Sequence, residues 1–162
     1  FEFSGDWNIN DAWKLSGVYS RIRGKTSFWT QDPEGRWDAG PLNKPIGALD
    51  VNPDKIALSV RWKFSEAGDA TLGSTTLLSR DLSGSDVRPY DDREFSYEEH
   101  TTGYTLFDLG VNYRVENVGR FSLGIENLTD KRYILTWSQV PGFRNYWAGR
   151  GRMYSFTYEY TF

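Results

Sequence analysis

An alternation of apolar and polar side chains with a period of two residues constrains this chain more than any other feature. It is clearest in residues 152–162, where every even position from 154 onward is aromatic and every odd position from 155 onward is Ser, Thr or Glu. In a β-strand, successive side chains point to opposite faces of the sheet. A helix would instead turn Phe156 away from Tyr154 and Tyr158. The segment is therefore predicted to be a strand with one aromatic and one polar face.

The same period predicts further strands, which gives about seven in all. Most of them have roughly 9–12 residues, close to the length that a tilted strand needs to cross a bilayer. In one of them Leu77 and Leu78 are adjacent, so the sequence leaves the facing of that strand open. The other predicted strands are 1–9, 13–22, 55–64, 70–80, 107–115 and 121–125.

The connections between the strands alternate between short and long. Tight turns are predicted at 10–12, 65–69 and 116–119, and long polar stretches at about 24–54, 81–103 and 130–149. Long stretches without regular structure are uncommon in compact soluble domains, whereas transmembrane barrels combine short periplasmic turns with long extracellular loops. The chain is therefore predicted to be all-β, an antiparallel transmembrane β-barrel of the bacterial outer membrane. The rings predicted to form an aromatic girdle near the periplasmic ends are Trp7, Trp13, Trp62, Phe64, Tyr113, Tyr158, Tyr160 and Phe162.

The composition agrees with a membrane barrel and argues against several other classes. Aromatic residues make up 17% of the chain, although 25% of its residues are charged and its mean hydropathy is -0.61. A barrel has this profile because half of each strand faces a polar lumen. No apolar run is long enough for a membrane helix, the absence of cysteine excludes disulfides and thiolate metal sites, and the net charge of -3 argues against nucleic-acid binding. A soluble β-sandwich is the alternative fold, but no second apolar layer is present to cover the aromatic stripes.

The chain is expected to be part of a larger barrel. Bacterial barrels have an even number of strands, and an open sheet in lipid would leave unpaired backbone groups at both edges, each costing several kcal/mol. The chain also starts at Phe1, inside a predicted strand, without an initiator Met or a signal peptide. We therefore expect residues 1–162 to be the C-terminal third of a barrel whose other strands lie elsewhere.

Several stretches of the chain resemble the TonB-dependent outer-membrane receptors. Residues 121–133, FSLGIENLTDKRY, resemble the penultimate strand of this family. Residues 149–162, which begin Gly-Arg-Gly-Arg and end in alternating aromatics, resemble its last strand, and 6–25 is similar to a recurring hairpin. The residues that match the penultimate-strand pattern are Gly124, Asn127, Leu128, Asp130, Lys131 and Tyr133.

The resemblance implies an active-transport receptor. Its barrel would have about 22 strands around a plugged lumen, and the N-terminal plug domain is absent from this chain. Members of the family import ferric siderophores, haem or cobalamin with energy from TonB, which would contact the missing plug. The ligand implied here is a ferric siderophore, so iron would be carried in the ligand, with no covalently bound cofactor. Outer-membrane lipid and lipopolysaccharide would surround the wall, and the barrel assembly machinery would recognise the C-terminal Phe162.

Basic and aromatic side chains in the long connections are the candidate ligand-binding residues. Arginine forms charge-assisted hydrogen bonds with anionic groups, and aromatic rings offer surfaces for stacking. The alternative is that these rings form an upper girdle or pack the loops against the barrel. The candidates are Tyr90, Arg93, Arg132, Trp137, Arg144, Tyr146 and Trp147.

Basic side chains on the polar face near the periplasmic end are expected to form ion pairs. Arg61, Lys63 and Arg114 are predicted to meet acidic groups of the plug, or of neighbouring strands such as Asp6. Charges that face a closed lumen need such partners, because an unpaired charge away from water is costly.

No catalytic site and no metal site are predicted. His100 is the only histidine, and the chain lacks the Gly-x-Ser-x-Gly pattern of a hydrolase nucleophile. The acidic residues of 81–99 offer the oxygen ligands that Ca²⁺ takes but lack EF-hand spacing, so a solvated loop is expected there. A passive porin is the main functional alternative and an outer-membrane barrel enzyme a weaker one. The Asn-Leu-x-Asp-Lys-x-Tyr segment argues against the porin.

Overall fold

The fold is built from β-strands. The computed structural model describes residues 1–23, 25–26, 29–31, 34–35, 37–39, 44–45, 53–81, 100–135 and 147–160. No helix among these residues is long and apolar enough to cross a membrane. In chain order the strands are β1 (Glu2–Asn8), β2 (Trp13–Ser20), β3 (Lys25–Thr26), β4 (Trp29–Gln31), β5 (Trp37–Ala39), β6 (Lys44–Pro45), β7 (Lys55–Ser65), β8 (Gly68–Leu77), β9 (Arg80–Asp81), β10 (His100–Thr101), β11 (Tyr104–Val115), β12 (Gly119–Glu126) and β13 (Met153–Glu159).

The longer strands form one antiparallel sheet. It has seven strands in the order β1-β2-β7-β8-β11-β12-β13. Each pairs with its neighbour in that order, so the sheet is a meander without a crossover. The predicted all-β fold and its strands are confirmed, with bounds that differ by a few residues.

Short and long connections alternate along the sheet, as predicted. In the first turn the side-chain oxygen of Asn10 accepts hydrogen bonds from the backbone N–H groups of Ala12 and Trp13, both at 2.9 Å. Residues 66–67 and 116–118 form the other tight turns. Because the strands are antiparallel and sequential, these turns share one end of the sheet and the long connections share the other.

The long connections, predicted as polar loops, contain short strand pairs. β3 pairs with β6, β4 with β5 and β9 with β10, and an isolated bridge joins Ile134 to Ala148. Paired strands hold the two ends of a connection about 5 Å apart, so the backbone can continue to pair beyond the sheet. The described parts of these connections therefore extend the hairpins.

The register gives the sheet one apolar and one polar face. One row of cross-strand partners on the apolar face is Trp7, Leu15, Val60, Leu72, Leu109, Ile125 and Tyr154. The next row along, on the polar face, is Asn8, Lys14, Arg61, Thr71, Gly110, Gly124 and Ser155. The register also settles the facing of β8, because Leu72 joins the apolar row and Leu77 falls on the polar face.

The apolar face is uncovered. Leu58, Leu72 and Leu123 keep 49%, 46% and 47% of their surface exposed, and Phe156 keeps 67%. In a soluble β-sandwich a second sheet would cover such side chains, and no other layer of the described chain packs on them. An exposed apolar surface of this extent marks contact with a membrane or with another protein.

Aromatic rings form a belt on this face at the end with the tight turns. Trp13 stacks on Trp62 with 5.5 Å between ring centroids, and the Phe64 ring lies 5.6 Å from Trp62 and 6.3 Å from Tyr113. Gly68 makes room for this aromatic belt, because a Cβ there would overlap the Phe64 ring. Four of the rings predicted to form the girdle therefore pack side by side.

Candidate functional site

Only part of the predicted ligand-binding set falls in the described part of the chain. Arg132 and Trp147 lie in the connection between β12 and β13, and both are exposed, Trp147 by 60%. The other candidates lie outside the described residues and stay predictions: Tyr90, Arg93, Trp137, Arg144 and Tyr146. The C-terminal Phe162 also lies outside them.

The two ends of this connection are paired with each other. We call residues 131–135 the first stem and residues 147–151 the second stem. The backbone N–H of Leu135 donates to the carbonyl of Trp147, and the N–H of Gly149 donates to the carbonyl of Tyr133, both at 2.9 Å. The stems therefore form a short antiparallel ladder. Arg132 belongs to the first stem and Trp147 to the second.

Asn127 fastens both stems at the end of β12. Its side chain is buried, with 4% of the residue exposed. The amide nitrogen donates to the carbonyls of Lys131 at 2.9 Å and Arg150 at 3.1 Å, and the amide oxygen accepts the backbone N–H of Lys131 at 2.8 Å. Its own backbone N–H donates to the Asp108 carboxylate at 2.8 Å. One residue thus joins β11, the first stem and the second stem.

Asp130 and Tyr133 add further contacts around the stems. The Asp130 carboxylate accepts the backbone N–H of Arg152 at 2.9 Å. The ring centroids of Tyr133 and Tyr104 are 4.4 Å apart, and a Cβ on Gly149 would overlap the Tyr133 ring. Glycine at 149 is therefore needed for the ring to lie where it does.

A polar network crosses the polar face near the tight turns. Arg61 donates to both oxygens of Asp69 at 3.2 Å each. The Asn112 amide donates to Asp69 at 3.4 Å, and its oxygen accepts the hydroxyl of Ser122 at 2.8 Å. These contacts link β7, β8, β11 and β12. Arg61 therefore pairs with an acidic group of a neighbouring strand, and that group is Asp69.

The prediction that named Asp6 as a partner of these basic residues is wrong. The Asp6 carboxylate lies 3.3 Å from the Lys14 ammonium and accepts the Ser16 hydroxyl, both on β2. Lys63 pairs with Glu66 in the following turn at 2.8 Å. The reason is topological, since β2 lies between β1 and β7 and takes up the contacts of Asp6.

Arg114 and Arg120 form a basic pair on the polar face. They are direct cross-strand partners on β11 and β12, and both are exposed. Glu159 faces Arg120 on β13, yet no ion pair joins either arginine to another described residue. A concave region of about 550 Å³ opens beside them. The sequence analysis did not name Arg120. The alternation of Arg120 and Ser122 with Phe121 and Leu123 was the signal that Arg120 lies on the polar face.

The Asp54 carboxylate is the centre of a polar cluster at the opposite end of the sheet. The first long connection leaves β2 and returns to β7 at this end. Arg23 donates to both of its oxygens, one at 3.0 Å, the Tyr19 hydroxyl donates at 3.2 Å, and Arg21 lies 3.8 Å away. Burial acts to raise the pKa of Asp54, but the hydrogen bond and charge of Arg23, helped by Tyr19 and Arg21, hold that pKa below its usual value. The cluster ties the two ends of the connection together.

Among the described residues, no group of three His, Cys, Asp or Glu side chains is placed to hold a metal ion. His100 is exposed in β10, where its register partner is Asp81. The acidic residues between 82 and 99 lie outside the described residues, so the solvated loop expected there stays a prediction.

Comparison with known proteins agrees with this architecture. A family model described as "TonB dependent receptor-like, beta-barrel" matches residues 1–128. The chain belongs to this family. The resemblance seen in the sequence is therefore confirmed, and the sheet is part of a TonB-dependent receptor barrel in the bacterial outer membrane.

Curated relatives match almost the whole chain. Hemoglobin-haptoglobin utilization protein B of Neisseria meningitidis serogroup A is 25% identical over 185 residues, which cover 99% of this chain and 21% of the relative. The protein of the same name from serogroup C is 25% identical over 187 residues, with the same shares. This receptor chain thus spans about a fifth of the length of these relatives.

Solved structures share the fold. They include the copper transporter OprC, with a TM-score of 0.63 and 16% identity over 96% of this chain and 21% of that one. A variant of the ferric enterobactin receptor PfeA from Pseudomonas aeruginosa has a TM-score of 0.62 and 15% identity over 96% and 20%. The ferric-catecholate import receptor Fiu from E. coli K12 has a TM-score of 0.58 and 21% identity over 94% and 19%.

Family membership assigns the two faces and the two ends of the receptor sheet. In an outer-membrane barrel the apolar face contacts lipid and the polar face lines the lumen. Short turns lie on the periplasmic side and long connections on the extracellular side. The aromatic belt is therefore periplasmic, and the paired stems that carry Arg132 and Trp147 are extracellular.

Proposed function

We propose that this chain supplies part of the wall and the extracellular stems of a receptor that imports a ferric siderophore with energy from TonB. The observation that supports this most is the exposure of Arg132 and Trp147 on the paired stems. A guanidinium can bind an anionic ferric complex through charge-assisted hydrogen bonds, and an indole offers a stacking surface. Two of the similar structures are named for ferric catecholates or ferric enterobactin, whereas OprC is named for copper.

Binding to the full-length receptor tests the ligand class. A ferric catecholate, a ferric hydroxamate and haem are titrated separately, and we expect saturable binding of a ferric siderophore. Trp147→Ala should weaken that binding about tenfold, because truncation of a tryptophan that anchors a ligand costs more than about 1 kcal/mol. Trp7→Ala is the matched control, since Trp7 is 62% exposed but lies on the lipid face towards the periplasmic end.

The same titrations separate the alternatives. Saturable binding of haem alone would replace the siderophore as the ligand. Flux across vesicles that rises linearly with solute concentration, without saturable binding, would indicate a passive porin. Uptake of labelled iron by cells with and without TonB tests the energy source, and uptake that persists without TonB would contradict the proposal.

We also infer that the Arg114–Arg120 pair contacts an acidic group of the plug. Like charges that face each other across a strand pair destabilise the sheet, and these two have no ion pair within the described residues. In the full-length receptor, Arg114→Ala should speed hydrogen exchange in the plug. Arg61→Ala is the control, because Arg61 already pairs with Asp69. Plug exchange that is unchanged by Arg114→Ala would contradict this contact.

A further inference from the structure

Asn127 occupies a position that few residue types can fill. Its φ is 50°, in the left-handed region that Gly, Asn and Asp adopt more readily than other residues. Its side chain uses two N–H donations and one acceptor oxygen. Aspartate would keep the acceptor but lose the donors, and glycine would lose all of these bonds. Of these three residue types, asparagine alone satisfies both the backbone and the contacts.

The bonds of Asn127 also join segments that are far apart in the sequence. Arg150, whose carbonyl accepts from it, is 23 residues further along the chain, and Asp108 is 19 residues before it. Next to it, the N–H of Leu128 donates to the carbonyl of Phe107 at 2.6 Å. Loss of the side chain would therefore remove the bonds that tie both stems to the end of β12, rather than loosen a single turn.

We propose that Asn127 is a positioning residue for ligand binding, because it holds the stems that carry Arg132 and Trp147. The Asn127 side chain forms hydrogen bonds with both the backbone N–H and the carbonyl of Lys131, which directly precedes Arg132. Its bond to Arg150 anchors the second stem, which begins at Trp147. Groups that are held in place before the ligand arrives bind it more tightly, since less ordering is required on binding. The ligand part of this inference rests on the proposed function.

The decisive variant is Asn127→Asp, with Asn117→Asp as its matched control. Aspartate tolerates the same backbone conformation, so the variant removes the two donated bonds with little change in backbone strain. Asn117 also has a left-handed φ, of 58°, but it is exposed in a periplasmic turn. The two variants add the same charge to the receptor at opposite ends of the sheet.

Two measurements on the full-length receptor test whether Asn127 holds the stems and whether this affects ligand binding. Hydrogen exchange reports on the amides of Leu135 and Gly149, which are bonded across the stems, and titration with the ferric siderophore reports affinity. Asn127→Asp should speed exchange of both amides at least tenfold and weaken binding about tenfold, while Asn117→Asp changes neither. Unchanged exchange, or faster exchange with unchanged affinity, would overturn the inference. If the unmodified receptor binds no ferric siderophore, the proposed function fails, and the exchange data alone decide whether Asn127 holds the stems.

A second variant covers the case in which Asn127→Asp does not reach the membrane. Gly149→Ala leaves Asn127 intact but drives a Cβ into the Tyr133 ring, so it should disturb the stems in the same way. Gly110→Ala is its control, because a Cβ there meets nothing within 4 Å. Equal exchange and equal affinity in these two variants would contradict the role of the stems.

Discussion

Leu109→Arg tests the assignment of the lipid face most directly. Leu109 lies in the middle of β11, and its cross-strand partners Leu72 and Ile125 are both apolar. Tyr113 of the aromatic belt is four positions further along the same face, which is about 13 Å along a strand. At a strand tilt of about 40° this corresponds to about 10 Å of depth, close to half of an apolar band of about 25 Å. Leu109 therefore lies near the bilayer midplane.

An arginine at that depth costs about 2–4 kcal/mol. The equilibrium constant between folded and unfolded receptor should then shift about 30- to 900-fold towards the unfolded state. The assay is guanidinium chloride unfolding of the full-length receptor in lipid vesicles, followed by tryptophan fluorescence. Thr71→Arg is the control, because Thr71 adjoins Leu72 at the same depth but faces the lumen opposite Gly110, so its cost should stay below about 1 kcal/mol. Equal costs for the two variants would refute the assignment of the faces.

Three further predictions concern other parts of the receptor. Gly68→Ala should destabilise the fold by about 1–3 kcal/mol, because its Cβ would overlap the Phe64 ring. Gly5→Ala is the control, because a Cβ there meets nothing within 4 Å, and it should be neutral in the same unfolding assay. Asp54 has a depressed pKa in the folded state, so its stabilising effect is present above the usual carboxyl pKa and is lost as the pH falls through the lower folded value. The difference in melting temperature between the native receptor and Asp54→Asn should therefore shrink as the pH falls below about 4. Deletion of Phe162 should reduce membrane insertion, measured by heat-modifiable gel mobility, and normal insertion would contradict its role as an assembly signal.

The fold was predictable because a membrane barrel constrains both faces of every strand. Lipid requires apolar side chains on one face and the lumen requires polar ones on the other, so the period of two survives in most strands. β13 shows this best, with Tyr154, Phe156 and Tyr158 on the apolar face. The order of the strands then followed from the short turns, since each turn joins neighbours in the sheet.

The facing of β8 could not be predicted, because it depends on a bulge in the partner strand. Ser65 pairs with Gly68, but Lys63 pairs with Asp69, so Phe64 is an extra residue in β7. A shift of one residue in register moves every side chain to the other face. Without the bulge Asp69 would lie opposite Phe64 on the lipid face. The bulge instead brings Asp69 to the lumen, where Arg61 meets it.

The contacts of residues 127–133, which carry the resemblance to the receptor family, explain why these residue types occur there. Asn127 bonds to both stems, Asp130 accepts the N–H of Arg152, and Tyr133 requires glycine at 149. The end of β12 and the start of β13 therefore form one unit, which explains why the resemblance appears in both stretches together. These contacts are to backbone and to rings within the wall, so they do not depend on which ligand is carried. On the proposed function, the choice of ligand would then depend on side chains that this unit exposes, such as Trp147, which keeps 60% of its surface exposed.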